Sequence, residues 1–342
     1  MRNQKPPVFK IGKSRHSQLQ GVQKGRKFRM GKVAGRKRRR KEGRHVTIRQ
    51  TYQYHLLMLP GFAILFIYTI IPFFGNIMAF QNYQPIMGFL KSKWVGLANF
   101  KHMLLLPDTA RIFRNSFTIA VGKLVLTMVL SIFFAILLNE ITSVKFKKSV
   151  QTICFLPHFL SWVILATIFK NLLDTGGILN QGLMSLGILK EPLMFLGSNK
   201  LFQGVVISTD VWKEFGYGAI IFIAALMGIN PELYEAASVD GAGRLAKIWH
   251  ITLPSIRVTI VMVATLNIAN ILNAGFDQIY NMYSPVVYQS GDIIDTYVYR
   301  LSFVNAQYSL ATAIGLLKSA ISFIMIVTAH KLAKKFANYQ IF

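Results

Sequence analysis

The chain opens with about fifty residues in which large apolar side chains are scarce. It then turns into a succession of long apolar runs. Six of these, at residues 57–80, 116–138, 150–173, 201–228, 256–277 and 309–331, each supply the about 20 helical residues needed to cross a ~30 Å hydrocarbon core. Barrel strands would be about ten residues long and would alternate in polarity, and these runs do not. The pattern predicts an all-α integral membrane protein with six transmembrane helices. A short amphipathic helix is expected on the outer surface between Leu97 and Asn115. The first apolar run starts near Leu56 and is too long for the apolar core of a cleaved signal, so it is read as a retained helix. No repeat of solenoid period is visible.

Composition agrees with the pattern. The chain has 342 residues, is 53% hydrophobic and has a mean hydropathy of +0.41, a membrane-protein balance. Its formal charge of +26 is concentrated in residues 1–50, which hold 18 Lys/Arg against the single acid Glu42. These residues bury too little surface to fold alone and are expected to form a disordered basic cytoplasmic tail. Residues 51–342 form the membrane domain. The run Arg36-Lys37-Arg38-Arg39-Arg40-Lys41 suits nucleic acid or anionic lipid headgroups. A span follows within a few residues, so the membrane lipids are taken as its partner, with no nucleic acid. The positive-inside rule then places Lys145, Lys147, Lys148, Arg244, Lys247, Arg257, Lys331, Lys334 and Lys335 on the cytoplasmic side with both termini. The loop at 81–115, with Lys91, Lys93, Lys101, Arg111 and Arg114 against Asp108, runs counter to the rule and is outweighed. The one cysteine, Cys154, excludes an internal disulfide and reads as a small hydrophobe.

The most distinctive polar stretch, residues 229–255, lies between the fourth and fifth runs. Asn230-Pro231 is a helix start, with a capping side chain followed by a proline at the first helical position. Glu232 and Glu235 suit the first turns of a helix. Ala236 and Ala237 are small and helix-favouring, which permits close approach by another surface. Gly241 and Gly243 supply a sharp turn. A second helix from about Arg244 to His250 is expected to stop or bend at Leu253-Pro254. Helix, glycine turn and helix make a compact knob. On geometry alone it is either a docking surface or an ordinary loop covering its own helices.

Glu235-Ala236-Ala237-Ser238-Val239-Asp240-Gly241, followed after nine residues by Ile251-Thr252-Leu253-Pro254, matches every fixed position of E-A-A-x3-G-x9-I-x-L-P. The stretch resembles the coupling loop of permease subunits of ATP-binding-cassette importers. The resemblance covers residues 55–335. Val95 to Phe100 and Arg114-Asn115-Ser116 look like the outer segment of carbohydrate-importer permeases. Phe276-Asp277-Gln278-Ile279, Asp295 to Arg300 and Ala313 to Leu316 look like a branch that imports oligosaccharides from complex polysaccharides and relies on a lipoprotein binding component. The resemblance implies a type I importer permease fold with a cytoplasmic coupling helix between helices 4 and 5. It implies a second homologous permease, an ATPase dimer, an extracellular solute-binding lipoprotein and an oligosaccharide substrate, in a bacterial cell membrane. ATPase coupling would fall to Glu235, Ala236, Ala237, Asp240, Gly241, Ile251, Leu253 and Pro254.

Polar residues within spans are costly and face a bundle interior or a hydrated path. Asn267, Asn270, Asn273 and Asp277 recur three, three and four residues apart, which places them along one broad helical face. They are candidates for a substrate path, or for interhelical hydrogen bonds. In the fourth run, Asp210, Lys213 and Glu214 have the spacing of a local ion pair. Trp212 is suited to stacking on a sugar face or to ordinary packing. Lys123, Lys170 and Lys318 also fall within or near spans. Lys170 can snorkel, and Lys318 is a candidate for the path or for an ion pair.

No G-x-x-x-x-G-K-[ST] loop occurs in the chain, so any ATP and Mg would be used by a partner ATPase. No nucleophile elbow or paired histidine motif is present. The chain is expected to have no catalytic residues and to bind no cofactor or metal. An ion-coupled carrier or a membrane glycosyltransferase would be the competing classes, and the latter lacks a visible catalytic acidic cluster.

Overall fold

The computed structural model describes residues 54–268 and 270–337. The basic tail at 1–50 lies outside the described residues. The chain divides into two compact units between Thr69 and Ile70. In the first, residues 54–69 are helical and pass into a π-turn at Phe66–Ile70. They belong to the apolar helix α1, Tyr54–Phe80, whose last residues are a 3₁₀ segment, Phe74–Phe80.

The second unit begins with the remainder of α1 and a two-stranded antiparallel hairpin. It pairs β1 (Gln81–Asn82) with β2 (Lys93–Trp94) in the register Gln81↔Trp94 and Asn82↔Lys93. Then come α2 (Ala98–Leu105), α3 (Pro107–Glu140), α4 (Val144–Phe155), α5 (Trp162–Leu173) and α6 (Ile178–Ser185). They are followed by α7 (Phe202–Met227), α8 (Pro231–Val239), α9 (Arg244–Ile268), α10 (Phe276–Met282), α11 (Ile294–Tyr299) and α12 (Tyr308–Ala337). Among the described residues five helices are long and apolar enough to cross a membrane: α1, α3, α5 with α6 (Trp162–Ser185), α9 and α12. The pair α7 and α8, bent by 70°, makes a sixth if it is one span.

The elements differ from the apolar runs at three places. The run at 150–173 is not one helix. Its first part belongs to α4, which carries Lys145, Lys147 and Lys148. Pro157 then lies in a 3₁₀ turn, Leu156–Phe159, and Ser161 starts α5 afresh by accepting from Ile164 N–H at 3.4 Å. A proline cannot donate to the helical ladder, and a serine competes for the backbone as a cap. The run at 256–277 ends early, at Ile268. The segment at 270–275 is non-helical, and Gly275 has φ +93°, a left-handed conformation open to glycine, before α10 begins. Pro254 does not stop or bend its helix out of the path. A π-turn at Ile248–Thr252 lets Leu253 N–H reach the Ile248 carbonyl, five residues back. This spacing accommodates the ring, which in a regular helix would press on the carbonyl of His250. The region expected to hold a short amphipathic helix contains α2 and the first turns of α3.

Three apolar clusters hold the second unit. One joins α3, α7 and α9 through Ala135, Ile136, Ala219, Phe222, Leu226 and Ile256. The second gathers Ile119, Ala120, Phe202, Val206, Ala274 and Ile279. The third packs Met103 and Ile112 against Ile271, Ile294, Leu310 and Ile314. Helices α3 and α7 lie along one another, and Ser131 Oγ donates to Phe215 O at 2.8 Å between them. The chain after α10 is tied to α3 by side chains. Asn115 Nδ2 donates to the carbonyls of Gln289 and Asp292, and Ser116 Oγ accepts from Ile294 N–H at 2.8 Å.

Candidate functional site

The knob forms as the residues dictate. Asn230 Oδ1 accepts from Glu232 N–H at 3.1 Å, and Pro231 occupies the first helical position of α8. At its other end Asp240 N–H reaches Ala236 O, Gly241 N–H reaches Ser238 O and Ala242 N–H reaches Ala237 O at 2.8 Å. Gly241 has φ +79°, so the orphan carbonyls are satisfied by a left-handed turn that a glycine makes without Cβ strain. Tyr234 Oη and Thr252 Oγ1 lie 3.0 Å apart, and Lys247 Nζ donates to Ser238 Oγ at 2.7 Å. These two bonds fix α8 against the start of α9. Glu235, Ala236, Asp240, Gly241 and Pro254 are exposed, Ala237, Ile251 and Leu253 are half-buried, and Leu233, Val239, Leu245 and Trp249 present large apolar side chains to the outside. The knob thus presents apolar side chains on an internally hydrogen-bonded frame.

A cavity of about 490 Å³ opens between α3, α7 and α9. Its wall includes Lys123, Thr127 and Ser131 from α3, Asp210, Glu214 and Tyr217 from α7, and Asn267, Asn270 and Asn273. The stripe expected on one helical face is distributed differently. Asn267 is near the end of α9, Asn270 and Asn273 lie in the break, and Asp277 is exposed on α10 outside the cavity lining. Asn273 Nδ2 donates to Asn270 Oδ1 at 3.3 Å, so the break keeps two of these amides together.

The charges in this region pair across helices. Lys123 Nζ lies 3.1 Å from Asp210 Oδ1 and donates to Ala274 O at 2.7 Å and to Gln278 Oε1. The local pair expected between Asp210 and Lys213 is absent. Lys213 Nζ instead donates to Glu214 Oε1 at 2.8 Å and to His158 O at 2.7 Å. The other Glu214 oxygen is 2.7 Å from His158 Nδ1, and the His158 ring stacks on Tyr217 with centroids 3.8 Å apart. Spacing on α7 alone does not decide this: Asp210 is met by Lys123 of α3 and Glu214 by His158 of the 3₁₀ turn before α5, while Lys213 pairs with its neighbour Glu214. Lys123 and His158 are thus the site residues that local spacing missed. A lysine inside an apolar run needs a distant carboxylate, and that was the available signal.

Trp212 faces away from the cavity lining, half exposed, with its ring edge-on to Phe169 at 5.7 Å. Lys318 is not in the lining either. It is bonded to Asp295 Oδ1 at 2.6 Å, the ion-pair alternative. Nearby, the buried Asp292 is bound by Arg300 at 2.5 Å and by Thr296 Oγ1 at 2.7 Å.

Helices long enough to span a membrane, a largely apolar cavity between them that carries a few polar and charged side chains, and an exposed interhelical knob are the features of a multi-pass membrane transport component. Residues 127–338 match the protein family described as "Binding-protein-dependent transport system inner membrane component", and the chain belongs to that family. It is a permease component, without the ATPase of such systems. Among its relatives is Protein LplB of Bacillus subtilis (strain 168), 39% identical over 84% of this chain and 90% of that protein. The polygalacturonan/rhamnogalacturonan transport system permease protein YteP of the same organism is 37% identical over 91% of this chain and 96% of that one. Among solved structures, a bacterial ABC transporter that imports the acidic polysaccharide alginate superposes with a TM-score of 0.78. It is 33% identical and the match covers 85% of this chain and 98% of that chain. The bacterial alginate ABC transporter in complex with an alginate pentasaccharide-bound periplasmic protein gives 0.79 at 32% identity, over 86% and 98%.

Proposed function

We propose that the chain is one of two permease subunits of an ATP-driven type I ABC importer for an oligosaccharide delivered by an extracellular binding lipoprotein. The observation that carries this reading is the connection between knob and cavity. Helix α9 starts in the knob at Arg244, passes Pro254 without breaking and reaches Asn267 beside the cavity. Six spans, with α7 completing the set and α8 as the coupling helix, put both termini and the knob in the cytoplasm. There Glu235 to Pro254 engage an ATPase subunit that uses ATP and Mg. The second permease closes the open side of the cavity. Amide and hydroxyl groups at Ser131, Tyr217, Asn267, Asn270 and Asn273 are the groups that hydrogen-bond sugar hydroxyls. The named substrates of the YteP and alginate systems are polysaccharides, which supports the same broad class here.

Affinity purification of the full chain from its own cells tests the reading. A second permease and an ATPase are expected to co-purify, with one partner permease and an ATPase dimer per copy of this chain, and ATP hydrolysis by the complex in vesicles should rise with loaded binding protein. Oligosaccharide uptake by the chain alone, driven by an ion gradient without an ATPase, would replace it with a secondary carrier.

A further inference from the structure

The charge on the cavity wall bears on what passes along it. Lys123 Nζ has three hydrogens, and its partners are Ala274 O, Gln278 Oε1 and Asp210 Oδ1. Gln278 is itself fixed, because its Nε2 donates to Val206 O at 2.8 Å and to Thr209 Oγ1 at 2.9 Å. The ammonium is therefore committed inside the protein and held there by a locked neighbour. One turn along α7, both oxygens of Glu214 are engaged, by Lys213 Nζ and by His158 Nδ1. Lys213 is buried and also bonded to His158 O. Each charged group that reaches the lining is matched by an opposite or polar partner. Among the described lining residues Lys123 is the single cation, Asp210 and Glu214 are the carboxylates, and the other polar groups are neutral.

Resting on the reading of this cavity as an oligosaccharide path, we infer that the wall built by this chain selects neutral oligosaccharides over uronic-acid ones. A uronate must leave water, and its carboxylate then needs a cation or several N–H donors in return. Here the cation is already occupied by Asp210, and Glu214 is bonded to Lys213 and His158, so the wall offers a second anion no uncompensated positive charge. A sugar hydroxyl both donates and accepts, so it is served by asparagine amides and by carboxylate oxygens alike. The wall thus differs in expected preference from the alginate importer it resembles in fold, whose substrate is acidic. Asp210 is the specificity-determining residue: it cancels the charge of Lys123.

The test is direct binding to the purified permease–ATPase complex without binding protein, read by saturation-transfer NMR. The probes are cellopentaose, xylopentaose and galactopentaose against pentagalacturonate and an alginate pentasaccharide. At least one neutral probe is expected to bind at least about tenfold more tightly than either uronate, a difference of about 1.4 kcal/mol. Asp210→Asn keeps an acceptor for Lys123 but removes the negative charge, and should narrow that ratio. Glu214→Gln serves the same purpose if the first variant does not fold. A uronate bound by the wild type as tightly as the best neutral probe overturns the inference. An unchanged ratio in a folded variant also overturns it, by showing that the charge balance is not the cause. Binding of none of the five probes overturns the oligosaccharide reading itself, and the inference falls with it.

Discussion

The pair Lys123–Asp210 joins two helices whose residues are 87 positions apart, and its removal should be costly in a characteristic way. Both side chains are largely out of solvent, with 9% and 17% of their surfaces exposed. Removing one partner of a buried pair leaves an uncompensated charge and costs about 3–5 kcal/mol. The lower end applies here, because Asp210 retains some solvent access and Asn keeps a hydrogen bond. For a domain of this size each kcal/mol shifts melting by roughly 2–4 °C, so Lys123→Met or Asp210→Asn should lower it by roughly 6–12 °C. The double variant should lose much less than the two shifts combined, with a coupling energy of at least about 2 kcal/mol. The assay is thermal unfolding of the detergent-solubilised complex, for wild type, both single variants and the double variant. Losses that add to within about 0.5 kcal/mol would refute the argument, since independent sites behave that way.

Three further outcomes follow from the geometry. Gly241→Pro cannot adopt the φ of +79° at the turn and removes the N–H bonded to Ser238; uptake should be abolished while membrane insertion and abundance persist, and normal uptake at normal abundance would refute the coupling role. Asn270→Ala, in the cavity wall, should weaken oligosaccharide binding about fivefold for one lost hydrogen bond, whereas Asp277→Ala, exposed on α10, should leave binding within about twofold; the reverse order in a binding titration would move the path to α10. Lys318→Met leaves Asp295 without its 2.6 Å partner and should cost about 1.5–3 kcal/mol of stability, read as a lowered melting temperature with unchanged oligosaccharide selectivity.

The sequence was most informative where the cause of structure is local. Asn230, Pro231 and Gly241 each determine their own neighbourhood, and the start, end and turn of the knob fall where those residues predict. The apolar run at 201–228 corresponds to α7 because no cap or proline interrupts it. Elsewhere a distant partner decided the outcome. The break at 270–275 is held by Lys123, which reaches Ala274 from α3, so a run that looks helical by hydropathy is diverted by a side chain about 150 residues earlier. Asp210 and Lys213 have suitable spacing for each other, yet Asp210 pairs with Lys123 on α3, and Lys213 pairs with the adjacent Glu214 and the His158 carbonyl. Proline lacks a donor and so predicts a stop or a bend at Pro254; the π-turn before it supplies a different register, and no propensity rule encodes that choice. The cavity could be anticipated from asparagines in an apolar run, but its other wall, from α3 and α7, required the packing of α3 against α7.

The unbroken course of α9 has a mechanical consequence. At 1.5 Å per residue its 25 residues make a rod about 37 Å long. Ile256, buried among Ala135, Ala219 and Phe222, lies midway along it and would be the pivot of a rigid tilt. A tilt of about ten degrees about that point moves the two ends by about 3 Å in opposite directions. On the proposed coupling, a push on Arg244 would reach Asn267 with equal arm and reversed sense, without any chain of intermediate side chains. The π-turn on the knob side of the pivot is where such a lever would have slack, and it would set how much of a small push is absorbed before the far end moves.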